Sequence, residues 1–69
     1  MPNAKIIGER LKTLREKKKY SQQELADIIG IGQPAIAMYE NGERIPRDET
    51  KLLLAKALGR SVNFIFFND

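Results

Sequence analysis

Apolar residues recur in steps of three and four along this chain, and residues that end helices interrupt the pattern at short intervals. Leu11 and Leu14 show this spacing within a segment rich in Lys, Arg and Glu, as expected for an amphipathic helix. Glycines at positions 30, 42 and 59 each follow a segment with this spacing. Because glycine has no Cβ, it readily takes the left-handed conformation that is common just after a helix. The sequence therefore predicts a series of short helices.

The first two helices are predicted on either side of Tyr20. The first covers about residues 4–18, and its apolar positions are Ile6, Ile7, Leu11 and Leu14. The second begins at Ser21, which can form a capping box with Glu24 and so satisfy otherwise unpaired backbone amides. It ends at Gly30, and its inward positions are Leu25, Ile28 and Ile29.

Three further helices are predicted after Gly30. The third has Pro34 in its first turn, where backbone amides lack intrahelical partners, and carries Ile36 and Tyr39 inward. The fourth begins with two acidic residues that suit the positive helix end, and its inward positions are Leu52, Leu53, Ala55 and Leu58. Ser61 caps a short fifth helix over residues 62–67. The expected fold is an all-α, five-helix domain that covers residues 1–69, with a core of about 6–67.

The composition of the chain excludes several classes of function. It has 69 residues with neither cysteine nor histidine, so it offers no thiolate nucleophile, imidazole base or Cys/His metal cluster. We therefore expect no enzyme, no metal, no cofactor and no small-molecule ligand. No apolar run approaches the roughly 20 residues that span a bilayer, and the first residues lack the apolar stretch of a secretory signal. The expected location is the cytoplasm.

The join between the second and third helices carries the most functional information. Ala26 is small enough to let the two helices approach, Gly30 permits a sharp turn, and Ile36 fills the crevice between them. This spacing resembles the helix-turn-helix of the phage repressor and Cro family, also called the XRE family. Further similarities are the run 39–42, which reads Tyr-Glu-Asn-Gly, then Pro46 in the following loop, and the closing segment 58–64.

The resemblance implies a lambda-repressor-like domain with its helix-turn-helix at helices two and three. It also implies a function: sequence-specific binding of double-stranded DNA as a homodimer. The protein would then be a transcriptional regulator of the repressor type that reads a palindromic operator through the major groove. Its setting would be a prokaryotic cell or the host of a phage or mobile element.

The same resemblance places the base-reading residues at the start of the third helix, and these are Gln33, Pro34, Ala37 and Met38. Gln33 can pair with N6 and N7 of adenine, or it can be an ordinary exposed residue of a first turn. Pro34 and Ala37 have no hydrogen-bonding side chains, so they can read only by apolar contact, for instance with a thymine methyl group. Met38 is either a groove contact or a packing residue.

Phosphate contacts are implied on both sides of the third helix, at Ser21, Gln22, Asn41, Arg44 and Arg47. Ser21 is equally compatible with a role as a cap alone. The alternative for Arg44 and Arg47 is that they are solvated loop charges. The charge distribution favours such flanking contacts, because residues 1–20 carry +5, residues 21–43 carry −4 and residues 44–69 carry +2, which sum to the net +3. Phosphate affinity is therefore expected from the flanks and not from the acidic helix pair.

Two further interactions are expected. In the family, the positions of Arg15 and Glu40 form an ion pair beneath the DNA-facing surface; the alternative is two unrelated solvated charges. The C-terminal run contains more apolar surface than a short helix can bury, so a dimer contact is predicted at Phe64, Ile65, Phe66 and Phe67. The alternative is that all four side chains close the bottom of the domain.

A second function is compatible with the same sequence. The acidic helix pair and the few hydrogen-bonding side chains on the third helix also suit a protein-interaction module on the same fold, such as an antitoxin or coactivator.

Overall fold

Five helices form the fold in the computed structural model, which describes residues 2–69. They are α1 (Ala4–Lys17), α2 (Gln22–Ile29), α3 (Gln33–Glu40), α4 (Asp48–Leu58) and α5, a single π-helical turn (Asn63–Phe67). The all-α, five-helix prediction is confirmed, with helix ends within one or two residues of the predicted positions.

Local sequence signals fix the ends of α2 as predicted. The backbone amide of Glu24 donates to Ser21 Oγ at 3.0 Å, and the amide of Ser21 donates to Glu24 Oε1 at 2.8 Å. At the other end, Gly30 has a φ of 77°, a left-handed conformation that other residues adopt only with strain. The capping box and the glycine stop are both confirmed.

Gly8, which the sequence pattern did not single out, sets the closest approach between two helices. It lies on α1 where this helix crosses the end of α3. A Cβ atom built on Gly8 would lie 2.5 Å from the carbonyl oxygens of both Tyr39 and Glu40. Only a residue without a side chain therefore allows α1 and α3 to pack at this distance.

The core draws on all five helices, but three predicted inward positions are wrong. Ile28, Leu52 and Leu53 are 53%, 63% and 44% exposed. The buried residues of α4 are instead Lys51, Leu54, Ala55 and Leu58. These follow the spacing of one helix face, with a lysine at the first position, so the hydrophobic pattern alone pointed to the neighbouring face.

The C-terminal turn α5 closes the base of the domain. Ile65 and Phe66 are completely buried there. The Arg10 guanidinium of α1 donates through one nitrogen to the carbonyl oxygens of Phe64, Ile65 and Asn68, at 3.1, 3.2 and 2.7 Å. These bonds tie the first helix to the last turn. Within residues 2–69, no helix is long and apolar enough to cross a membrane.

Candidate nucleic-acid interface

The turn between α2 and α3 is held by two backbone hydrogen bonds to one carbonyl. The amides of Gly30 and Ile31 both donate to the carbonyl of Ala26, at 2.9 and 3.0 Å. Ala26 and Ile36 are both buried in the core cluster. The three positions singled out in the sequence therefore play the predicted steric roles, and they fix α3 relative to α2.

Arg15 and Glu40 form the predicted ion pair, which is buried. Arg15 Nε donates to Glu40 Oε2 at 2.7 Å and Arg15 Nη2 donates to Oε1 at 3.1 Å, a two-pronged geometry. The remaining terminal nitrogen of Arg15 donates to the carbonyl of Tyr20 at 2.7 Å. The pair thus links α1, the α1–α2 turn and the end of α3.

The hydrogen bond to Glu40 raises the pKa of Arg15 above its ordinary range, against the opposing effect of burial. Because the pKa of Arg15 is higher in the folded state than in the unfolded state, the charged form stabilises the fold. This stabilisation is fully present at a pH below the unfolded-state pKa and is lost only as the pH rises through the folded-state pKa. For arginine both values lie far above neutrality, so Arg15 stays charged throughout the physiological range.

A chain of hydrogen bonds runs from the ion pair to the start of α3. Gln22 Nε2 donates to Glu40 Oε1 at 3.0 Å, and Gln33 Nε2 donates to Gln22 Oε1 at 2.7 Å. The family resemblance implied separate roles for Gln22 and Gln33 and did not connect them. Both lie in the first turn of their helices, at matching positions of the helix-turn-helix.

The predicted base-reading residues share one side of α3. Positions 33, 34, 37 and 38 follow helical spacing, while the opposite side of α3 buries Ile36, Tyr39 and Glu40. Pro34 and Met38 are exposed, and Gln33 and Ala37 are half-buried. The arrangement leaves these four side chains facing away from the core, and their base-reading role remains a prediction.

The predicted phosphate-binding residues lie at the two ends of this surface. Ser21, Asn41, Arg44 and Arg47 are exposed, whereas Gln22 is half-buried within the hydrogen-bond chain. Ser21 also acts as the cap described above. The Asn41 side-chain amide donates to Glu43 at 3.4 Å, so the carboxylate of Glu43 lies on this side of the domain as well.

The predicted dimer contact needs correction. Ile65 and Phe66 are fully buried in the monomer and cannot offer surface to a partner. Phe64 is half-buried beneath the Arg60 guanidinium, which lies 3.5 Å from its ring centroid. Only Phe67, at 41% exposure, remains as a large exposed apolar side chain of the four. The single π-helical turn buries two of the four side chains because it packs directly beneath α1.

A family model described as helix-turn-helix matches residues 11–65 of the chain. The chain is 42% identical over 60 residues to the SPbeta prophage-derived uncharacterized HTH-type transcriptional regulator YonR of Bacillus subtilis, a match that covers 87% of this chain and 56% of that protein. It is 34% identical over 67 residues to repressor protein C2 of Salmonella phage P22, covering 97% of this chain and 31% of that repressor. The chain thus spans about half or less of the length of these relatives.

Solved structures show the same fold. The P22 c2 repressor, crystallised with a synthetic operator, superimposes with a TM-score of 0.88 and 34% identity, covering 93% of this chain and 97% of that chain. The restriction-modification controller protein C.AhdI of Aeromonas hydrophila gives a TM-score of 0.85 and 32% identity, covering 91% and 96%.

Proposed function

Because the chain belongs to the helix-turn-helix family of phage repressors and related regulators, we propose that it binds operator DNA as a homodimer and represses transcription. The operator is a palindrome, and each protomer reads one half-site through the major groove. The protein acts in the cytoplasm of a prokaryote or a phage host.

The exposed side of α3 is the observation that carries this proposal. Gln33 stands at its start, held by Gln22, with Pro34, Ala37 and Met38 beside it on the same side. A recognition helix meets base edges with its N-terminal residues, so this set of side chains is the one that enters the groove. The similar P22 c2 repressor forms a complex with a synthetic operator, which supports DNA binding by this fold.

The residues on either side of α3 are proposed to bind DNA phosphates while α3 reads the bases. Arg44 and Arg47 are exposed in the loop after α3, and Ser21 and Gln22 stand at the start of α2, where backbone amides favour an anion. The exposed carboxylate of Glu43, which lies beside Asn41, opposes phosphate, so affinity depends on few cations. Removal of one cation that binds a phosphate is expected to reduce the slope of log affinity against log salt by about 0.9.

The dimer contact is proposed at the exposed apolar surface shared by α4 and α5. Leu52 and Phe67 line the same surface depression of ≈ 250 Å³. Both are large and exposed, and a twofold axis beside them would cover the apolar surface of each protomer with the same surface of its partner. The proposed dimer contact therefore includes Leu52 and omits Ile65 and Phe66, which are buried.

Selection of binding sites from a random duplex pool tests the function. The expected result is a palindromic consensus whose half-sites are about one helical turn apart. If no sequence is enriched, and the protein binds all random duplexes equally at low salt, the proposal is contradicted and the protein-interaction module is favoured.

Sedimentation of the protein and of Leu52→Ser tests the dimer separately. The parent should form a dimer, at least on operator DNA, and the variant should shift toward monomer. A parent that stays monomeric at high concentration with operator would exclude the homodimer, and Glu49→Ser on the same helix is the control.

A further inference from the structure

We propose that the groove between α1 and α5, the α1–α5 groove, is a binding site for a small organic acid whose apolar body is an aromatic ring or a branched chain. The proposal goes beyond DNA binding. It also departs from the expectation, drawn from the composition, that the chain takes no small-molecule ligand. The groove has a volume of ≈ 250 Å³, which is at the small end of the range for ligand pockets.

The α1–α5 groove runs along the face of α1 that points away from α3. Arg10 and Lys17 line it, and each comes two residues after a position that contacts α3, namely Gly8 and Arg15. Two residues turn a helix by about 200°. The groove and the α3 contact therefore lie on opposite faces of α1, so a ligand in the groove leaves the exposed side of α3 uncovered.

Apolar side chains provide a surface for the body of the ligand. Ile6 of α1 is 39% exposed, and Phe64 of α5 is half-buried. Leu14, which is buried, lies between them in the lining of the groove. An apolar body gains free energy by leaving water at such a surface. An acid that carries a ring should therefore bind better than a bare anion.

Positive charge dominates the rim of the groove. Arg10, Lys17 and Arg60 line it, against the single carboxylate of Glu9. The Arg60 guanidinium lies 3.5 Å from the ring centroid of Phe64, and a guanidinium stacked on a ring keeps its N–H groups at its edge. Within residues 2–69, Lys17 and Arg60 donate no hydrogen bond and form no ion pair. The charge of the groove thus complements an anion.

Arg10 has both a fixed position and unused donors. It donates to the carbonyls of α5 through Nη1 alone. Its Nε and Nη2 carry three further N–H groups, which have no acceptor in the described part of the chain. A carboxylate can accept two parallel hydrogen bonds from one guanidinium. Because α5 already holds the Arg10 side chain, little of its conformational freedom is lost when a ligand binds.

NMR titration of the labelled protein with 3-phenylpropionate tests the proposal. Saturable shifts are expected at the methyl groups of Ile6 and Leu14 and at the ring of Phe64, with a Kd on the order of 1 mM. Two compounds serve as controls for the ligand. 3-Phenylpropanol keeps the ring without the charge, and acetate keeps the charge without the ring. Each should bind about ten-fold more weakly or worse, because each loses one of the two kinds of contact.

Variants locate the charges that bind the acid. Arg60→Met keeps a long side chain but removes the guanidinium, and should raise the Kd about ten-fold. Lys17→Met and Lys12→Met form a matched pair, since both replace an exposed lysine of α1 and only Lys17 lines the groove. Lys17→Met should weaken binding about two-fold or more, and Lys12→Met should leave it unchanged. Thermal melting checks that each variant is folded.

Several results would overturn the proposal. One is a titration without saturable shifts at the groove, or with shifts centred on the depression at Leu52 and Phe67. Another is equal affinity for 3-phenylpropanol, which would remove the role of the anion. Equal losses in Lys17→Met and Lys12→Met would show that only net charge matters. Binding of an acetylated Glu-Leu-Phe-Glu peptide without binding of 3-phenylpropionate would assign the groove to a protein partner instead.

Discussion

The α1–α3 contact and the α4–α5 surface of this small domain are built in opposite ways. Where α1 meets α3, a glycine brings two backbones together and a buried ion pair joins the helices. Among residues 2–69, every buried side-chain nitrogen and oxygen has a hydrogen-bond partner. On α4 and α5, by contrast, large apolar side chains remain at the surface. Directional contacts fix the orientation of α3, whereas the exposed apolar side chains of α4 and α5 have no such contacts within the domain.

Loss of the ion pair should have the largest effect. Arg15→Ala leaves the Glu40 carboxylate buried without its charged partner and should lower the free energy of unfolding by about 3–5 kcal/mol. Urea denaturation measures the change. Arg44→Ala, which removes an exposed arginine from the loop, should alter stability by less than about 0.5 kcal/mol. A melt of Arg15→Ala that coincides with that of the parent would show that the pair contributes nothing.

Two nearby leucines of α4 provide the next test, because one faces the core and the other the solvent. Leu54 is fully buried, so Leu54→Ala should cost about 2–5 kcal/mol. Leu52→Ala should cost under about 1 kcal/mol at a protein concentration where the chain is monomeric. Equal losses in thermal denaturation would mean that the surface of α4 is not free in the monomer.

Replacement of Gly8 should have the next largest effect on the free energy of unfolding. Gly8→Ala places a Cβ against two backbone carbonyls and should cost about 2–3 kcal/mol, because helix backbones must separate. Gly32→Ala is the matched control, since its Cβ would meet only Pro34 at an ordinary 3.5 Å. Chemical denaturation compares the two. Similar stability of both variants would mean that α1 and α3 can move apart without penalty.

Replacement of the buried Lys51 should have the smallest effect on the free energy of unfolding. Lys51 places its ammonium 4.9 Å from the Phe67 ring centroid and 3.6 Å from an Asp48 carboxylate that is itself almost fully exposed. Lys51→Met fills the same space without a charge to desolvate, so stability should change by less than about 1 kcal/mol in either direction. If the same urea titration shows a decrease in the free energy of unfolding as large as that of Arg15→Ala, the charge of Lys51 stabilises the fold.

Features of the fold that depend on residues close in sequence were predicted correctly, whereas features that depend on contacts between distant residues were missed. The capping box at Ser21 and the stop at Gly30 depend on residues close in sequence, and both were correct. The face of α4 was not, because three consecutive leucines at 52–54 leave the helix phase undetermined and a lysine occupies an inward position. Gly8 carries no local signal at all, since its role exists only when α3 lies against it.

The candidate site shows the same division. The family resemblance predicted the pairing of Arg15 with Glu40, which the structure confirms. The bond between Gln22 and Gln33 joins residues eleven apart in sequence through side-chain geometry, and no spacing rule pointed to it. The burial of Ile65 and Phe66 depended on how closely the last turn packs beneath α1, which the composition of the segment alone did not specify.

The bonds from Arg10 to the carbonyls of α5 have a consequence for synthesis of the protein. They join residues 54 to 58 positions apart, so α1 leaves the ribosome long before its partners exist. Until the final turn emerges, the guanidinium has no carbonyls to bind and the base of the core stays open to water. The nascent domain therefore completes its core only once α5 has emerged, and a chain that stops before Phe64 lacks these bonds.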